Sequence, residues 1–348
     1  MVEPESTYPC APAALSTEGG SLVRVLYHGN KISVEIFHAL TDGGGALEFL
    51  KTLVFQYLYL LGENVEDKEG LILPPASFAR YAEAQDSFKA HYTSVTADSR
   101  MPEALQIPGT RFSPYGHNVI HGMIHASRLN ALAKQKGVTL TAYLTAILIM
   151  AVYETTLPFN NGNRPIVISM PVNLRKIFPS SSLRNFFAVI NIGVQMKEGM
   201  TLDEVQGIVH AQMKEKTTKS YLTQAMAGSM KYEKNLLSRF TPLKLKDLAI
   251  RYGFDHYGEE AKTLTLTNLG RIDIPASMAA HIESMETTMY PTAKSPMNCA
   301  VSSINDQLTI TFARNIVESD VIRHFFHQLA SLSGLDIRIV SNDWGMGA

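Results

Sequence analysis

The stretch Phe37-His38-Ala39-Leu40-Thr41-Asp42-Gly43-Gly44-Gly45 decides how this chain reads. Before it, Lys31 to His38 alternates. Ile32, Val34 and Ile36 fall on one face and Ser33 and Glu35 on the other, which predicts a strand. The apolar run breaks at Asp42-Gly43-Gly44-Gly45, a strong turn signal, and a helical pattern follows from Ala46 to Leu61. His38 therefore falls where a strand ends and a helix is about to start. Side chains at element ends can reach into a cleft while the scaffold holds them still. A histidine so placed is a candidate general base for a substrate hydroxyl or thiol. On spacing alone, a structural histidine bonded to the turn backbone fits the same pattern.

A second element bears on the choice. Pro171-Val172-Asn173-Leu174-Arg175-Lys176-Ile177-Phe178 directly follows an apolar strand, Pro165–Met170, and Asn185-Phe186 comes soon after. Arg175 is thus fixed just beyond a strand end, where its planar fork suits a carboxylate. Asp42 is the candidate partner. Such a pair would hold the 38–44 turn and aim the imidazole, with Asp42 itself transferring no proton. An arginine paired with any surface acid is the ordinary alternative.

Other chemistries find less support. The sequence has no GxGxxG, no GxxxxGK[ST], no GxSxG and no HExxH. His117, His121 and His125 would align on a helix, but Pro114, Gly116 and Gly122 favour a strand. Four strand residues span about 13 Å, too far for two imidazoles to share one metal, so no metal site is expected. Cys299 lies in an apolar run with no basic neighbour to lower its pKa. Asp255-His256 sits in a Gly- and Tyr-rich loop and reads as surface polarity.

The chain has 348 residues, 45% hydrophobic and 18% charged, with a net charge of −1. This is a globular composition, sized for two domains or one large one. The charge balance gives no pointer to nucleic acid or to an anionic membrane. The two cysteines, Cys10 and Cys299, read as reduced thiols of a cytoplasmic protein. The acidic, Pro-containing start is not a signal peptide. The most apolar helix candidate, Thr141 to Tyr153, falls short of the roughly 20 residues that cross a bilayer, so no membrane span is expected.

Along the chain, residues 1–20 read as an irregular lead-in. Leu22–Tyr27 and Lys31–His38 form a hairpin around His28-Gly29-Asn30. Ala76–Thr93 is a helix candidate, and residues 97–116 are the best linker candidate. His117–His125, Pro165–Met170, Phe187–Gln195, Thr263–Asn268, His281–Tyr290, Met297–Ser303 and Leu308–Ala313 read as strands. Leu129–Lys136, Thr139–Tyr153, Leu202–Ser220, Ala225–Ser238 and Val317–Leu332 read as helices. The class is α/β, with late strands close enough in sequence to pair antiparallel.

Together, His38, Asp42-Gly43, the Pro171–Phe178 segment and Leu266-Thr267-Asn268-Leu269-Gly270 resemble the acyltransferase superfamily of chloramphenicol acetyltransferases. Condensation domains, BAHD acyltransferases and wax-ester synthases share its HHxxxDG signature. Here Phe37 replaces the first histidine. The resemblance is closest to bacterial alcohol acetyltransferase-like proteins and covers the chain from about residue 8. It implies a two-lobed fold of mixed, largely antiparallel sheets flanked by helices, with a channel between the lobes. Residues 1–110 would form the first lobe, incomplete for want of the usual N-terminal strand and helix before Tyr8. Residues 111–348 would form the second.

The resemblance also implies chemistry. His38 would be the general base, and Asp42, Gly43 and Arg175 would build its turn. Asn173, Thr267 and Asn268 would line the substrate path, with Thr267 or Asn268 stabilising the oxyanion. The implied reaction moves an acetyl or short acyl group from acyl-CoA to a small alcohol or amine, with no permanently bound cofactor. An acyl carrier protein is the other implied donor. A non-catalytic member that binds a partner is the alternative. Acceptor identity and the choice between monomer and homo-oligomer stay open.

Overall fold

The computed structural model describes residues 1–5, 21–74, 81–93, 103–112, 116–156, 164–234, 242, 244–245, 253 and 258–342. Tyr8, Cys10, Asp255, His256, residues 76–80 of the helix candidate and residues 97–102 and 113–115 of the linker candidate lie outside them.

The fold is α/β, built on two sheets flanked by helices. The smaller sheet has three strands in the order β1-β2-β3: Val2–Pro4, Val23–His28 and Lys31–Ile36. The β2–β3 hairpin pairs antiparallel, with Gly29 at φ +53° in its turn. The left-handed conformation there is one that glycine adopts without steric cost. β1 pairs parallel with β2, so the lead-in is not irregular throughout. Its three residues are too short to show any period.

Helix α1, Gly43–Leu60, begins earlier than the Ala46 start the sequence suggested. The reason is Asp42, whose carboxylate caps the helix by accepting from the Gly45 amide at 3.0 Å. Among residues 81–93 only α2, Ser87–Ala90, is helical, rather than the whole of 76–93.

The larger sheet has seven strands in the order β10-β4-β9-β8-β7-β5-β6. These are β4 Asn118–His125, β5 Ile166–Asn173, β6 Phe187–Val194, β7 Leu264–Arg271, β8 Met297–Ile304, β9 Gln307–Arg314 and β10 Arg338–Ser341. Only β7 makes parallel pairs, with β5 and β8; the other neighbours are antiparallel. β5 runs through Pro171 instead of ending at it. Beyond Ser169 it pairs only with β6, so it is one-sided where proline cannot supply an N–H to a second ladder.

Residues 281–290 form no strand. They run beside β8 held by side chains: Ser302 Oγ donates to the Met285 carbonyl and Asn298 Nδ2 to that of Tyr290, each at 2.8 Å. β10 escaped the sequence reading because all four of its residues are exposed and carry no core-facing period.

Helices α3, Ala126–Gln135, and α4, Leu140–Thr156, are split at Gly137 (φ +73°) as expected. α5, Leu202–Lys216, opens with a Thr201/Glu204 capping box. α6 spans Lys219–Lys234, starting before the expected Ala225, and α7 is the short Ala276–Ala279. The closing helix α8, Asp320–Ser333, packs Phe325 and Phe326 edge-to-face on Phe312 of β9, with ring centroids 5.1 and 5.6 Å apart. α4 is buried on nearly every face, and the main core forms around it. A second, smaller cluster of Leu58, Val65, Ile72 and Met278 sits beneath α1. No single described helix is long and apolar enough to cross a membrane.

Candidate functional site

β3 ends at Ile36, and α1 starts at Gly43. Between them the chain turns, with the Leu40 amide donating to the Phe37 carbonyl at 2.9 Å. His38 lies in this turn and is exposed, two residues past the strand end rather than on it. It lines an open pocket of about 390 Å³ with Phe88, Phe187 and Ala188. Asn185, Val189 and Ala225 complete the wall. The imidazole rests against the Phe187 ring, centroids 5.8 Å apart.

The far end of the turn is tied down by charge. The buried Asp42 carboxylate accepts from Arg175 Nη1 at 2.9 Å and from the Phe186 amide at 2.7 Å, besides capping α1. Arg175 sits in a 3₁₀ turn, Leu174–Lys176, directly after β5. Its remaining donors reach the Ser182 carbonyl at 2.8 Å, the Arg184 carbonyl, and Asn173 Oδ1 at 3.3 Å. Asn173 also caps the turn, accepting from the Arg175 amide at 3.0 Å. The guanidinium is thus ringed by oxygens in directions that only a planar fork can serve.

Residues 182–186 form a strap across this region. Thr41 Oγ1 donates to the Leu183 carbonyl and Asn185 Nδ2 to the His38 carbonyl at 2.7 Å. The glycines exist for this close approach. A Cβ on Gly45 would lie 2.2 Å from the Leu183 carbonyl oxygen, and one on Gly44 would sit 3.2 Å from Arg175, Asn173 and Asp42 atoms. Gly43 faces Leu269 at the end of β7.

The structure therefore gathers His38, Asp42, Gly43, Asn173 and Arg175 around one turn. It does not bring Thr267 and Asn268 into the pocket that His38 lines. Asn268 lies at a bulge in the β7–β8 pairing, where its Nδ2 donates to Thr141 Oγ1 at 2.9 Å and its Oδ1 accepts from the Gly270 amide at 2.7 Å. Both ends of that amide are committed. Sequence reasoning passed over Asn185 and Phe187 as site residues. Their signal was a polar residue in the strap two positions before the aromatic start of β6.

The other candidates go to separate partners. His117 packs on the Tyr290 ring, His121 bonds Thr311 Oγ1 at 2.9 Å, and His125 faces Asp306. Burial holds His117 and His121 below the ordinary imidazole value. Burial pushes the Cys299 thiol up, away from the thiolate a nucleophile needs. A second pocket of about 410 Å³, lined by the ion pairs Glu103–Arg164 and Lys294–Glu260, lies beyond the start of β5. Eight strand residues, about 25 Å, separate it from Arg175, so it takes no part in this site.

By sequence, no family model and no curated protein matches this chain. By structure, the fold is that of the chloramphenicol-acetyltransferase-like condensation and acyltransferase domains. Polyketide synthase associated protein 5 from Mycobacterium tuberculosis is similar over 92% of this chain and 79% of its own, at 13% identity and a TM-score of 0.53. The epimerization domain from the third module of tyrocidine synthetase B is similar over 92% and 73%, at 12% identity and a TM-score of 0.53. F. sporotrichioides TRI101, in a structure complexed with coenzyme A and T-2, is similar over 91% and 69%, at 9% identity and a TM-score of 0.52.

Proposed function

We propose that this chain is an acyltransferase that moves an acetyl or short acyl group from acyl-CoA to a small alcohol or amine. Residues 1–110 and 111–348 are its two lobes, and it works in the cytoplasm. The observation that carries the reading is the exposed His38 imidazole in the wall of a largely apolar pocket, on a turn anchored by the Asp42–Arg175 pair. The fold and the coenzyme A bound by TRI101 support the choice of donor.

In this reading His38 takes the acceptor's proton as the oxygen or nitrogen attacks the thioester carbonyl. The tetrahedral intermediate collapses, the C–S bond breaks, and the imidazolium returns the proton to the departing thiolate. Asp42 and Arg175 hold the turn and exchange no proton. Thr267 and Asn268 of β7 lie outside the pocket that His38 lines, so this reading gives them no part in stabilising the oxyanion. A carrier-protein thioester is the competing donor.

The test is free-thiol release from acetyl-CoA with a panel of alcohols and amines. Wild type is expected to turn over. His38→Ala should lose about 10²–10⁴-fold in rate with an unchanged melting temperature, because the side chain is exposed. Equal rates for the two proteins would remove His38 as the base. A chain inert with every acceptor and with a carrier-loaded thioester would be a binding protein instead.

A further inference from the structure

We infer that Asn185 is the positioning residue that aims His38, and that the Asp42–Arg175 pair anchors only the far end of the turn. The inference rests on His38 being the base. Asp42 acts at the helix end: its oxygens meet the Gly45 amide, Arg175 and the Phe186 amide. Between Asp42 and His38 run Thr41, Leu40 and Ala39, and the last two are exposed. Among the described residues, the hydrogen bond that reaches His38 itself comes from Asn185 Nδ2 to its carbonyl oxygen, at 2.7 Å.

Asn185 is suited to that work because it cannot drift. The residue before it gives its carbonyl to Arg175, and the residue after it gives its amide to Asp42. Its amide has one workable orientation, since a flip would set carbonyl oxygen against carbonyl oxygen. Its Oδ1 is buried with no hydrogen-bond partner. A buried acceptor left unmet is costly, so the group is kept for what its other end does. Phe187, on the same side of the entering strand, meets the imidazole face. The side-chain amide of Asn185 on the His38 carbonyl and the ring of Phe187 on the imidazole fix the position and the tilt of His38.

Two readouts separate this from a merely structural role. In wild type, the His38 ring-proton NMR resonance, assigned by its loss in His38→Ala, is expected to carry a ring-current shift from Phe187. In Asn185→Ala that shift should collapse toward the unstructured value, while the melting temperature stays near wild type. In the thiol-release assay kcat should fall about 10- to 100-fold with KM unchanged, as a misaimed base would give. Asn185→Asp, close in size but unable to donate when ionised, should behave alike and serves if Asn185→Ala does not fold. An unmoved His38 resonance overturns the inference whatever the rate. A moved resonance with unchanged kcat overturns it too. A moved resonance in a protein whose wild type is inert upholds the positioning and overturns acyl transfer, so the two failures are distinct.

Discussion

Helices α1 and α4 are nearly equal in length, 18 and 17 residues, but they are held by different physics. α4 buries Ala142 through Ile149 without a break, and its apolar side chains fill the main core. On α1, Gly45, Lys51 and Leu58 are the buried residues, while Tyr57, Tyr59 and Leu60 are exposed. Its start is fixed instead by directed polar bonds to the larger sheet's loops. Each buried leucine-sized side chain contributes about 1.5–3 kcal/mol, without specifying direction. A buried carboxylate with three donors specifies direction closely. The candidate base therefore sits on the turn that leads into α1, the helix of the smaller apolar cluster, where polar bonds set its place.

The comparison can be broken most forcefully at Asp42 and Arg175. Removing either partner leaves the other charge buried, and Asp42→Ala or Arg175→Ala should each cost about 3–5 kcal/mol in chemical denaturation. The double variant should cost clearly less than the sum; strict additivity would show that the two do not interact. Next comes α4. Ile147→Ala should cost about 2–5 kcal/mol through the cavity it leaves, yet keep the rate per folded molecule. A rate lost along with stability would show that the core, too, sets the site.

A smaller effect is expected from acid. His121 of β4 is held below its ordinary value of 6.5 by burial, against the opposing pull of Glu286, with Lys31 of β3 and Glu5 also acting on it. Below pH 6.5 the unfolded chain takes up this proton more readily than the folded one. Stability should thus fall as pH drops from 6.5 to the folded-state value, and be fully present above 6.5. Melts at two pH values should show a weaker acid loss in His121→Gln. The smallest effect belongs to Leu60→Ser on the exposed side of α1, within about 0.5 kcal/mol. A larger loss would mean that this face is covered in solution.

Elements that bury one face were legible in the sequence because burial leaves a period. The β2–β3 hairpin and the α3–α4 break at Gly137 follow from alternation and from a glycine that must take positive φ, while β8 and β9, buried on both faces, show as apolar runs. What was not legible had no such period. β10 is wholly exposed, and 281–290 mimics a strand while bonding through side chains. At the site, Asp42 and Arg175 could be paired in advance because their charges ask for each other. Asn185 could not, since its partner is a backbone carbonyl, which every residue owns. Gly43-Gly44-Gly45 was misread as a turn because a glycine run signals freedom. Here it signals a helix end pressed against the strap.

The Phe186 amide has a consequence of its own. It is spent not in a sheet ladder but on Asp42, a residue 144 positions away in the chain. Its exchange with heavy water can proceed only when the strap parts from the α1 end. That single proton is a built-in clock for how often the turn around His38 comes loose, readable without substrate or turnover.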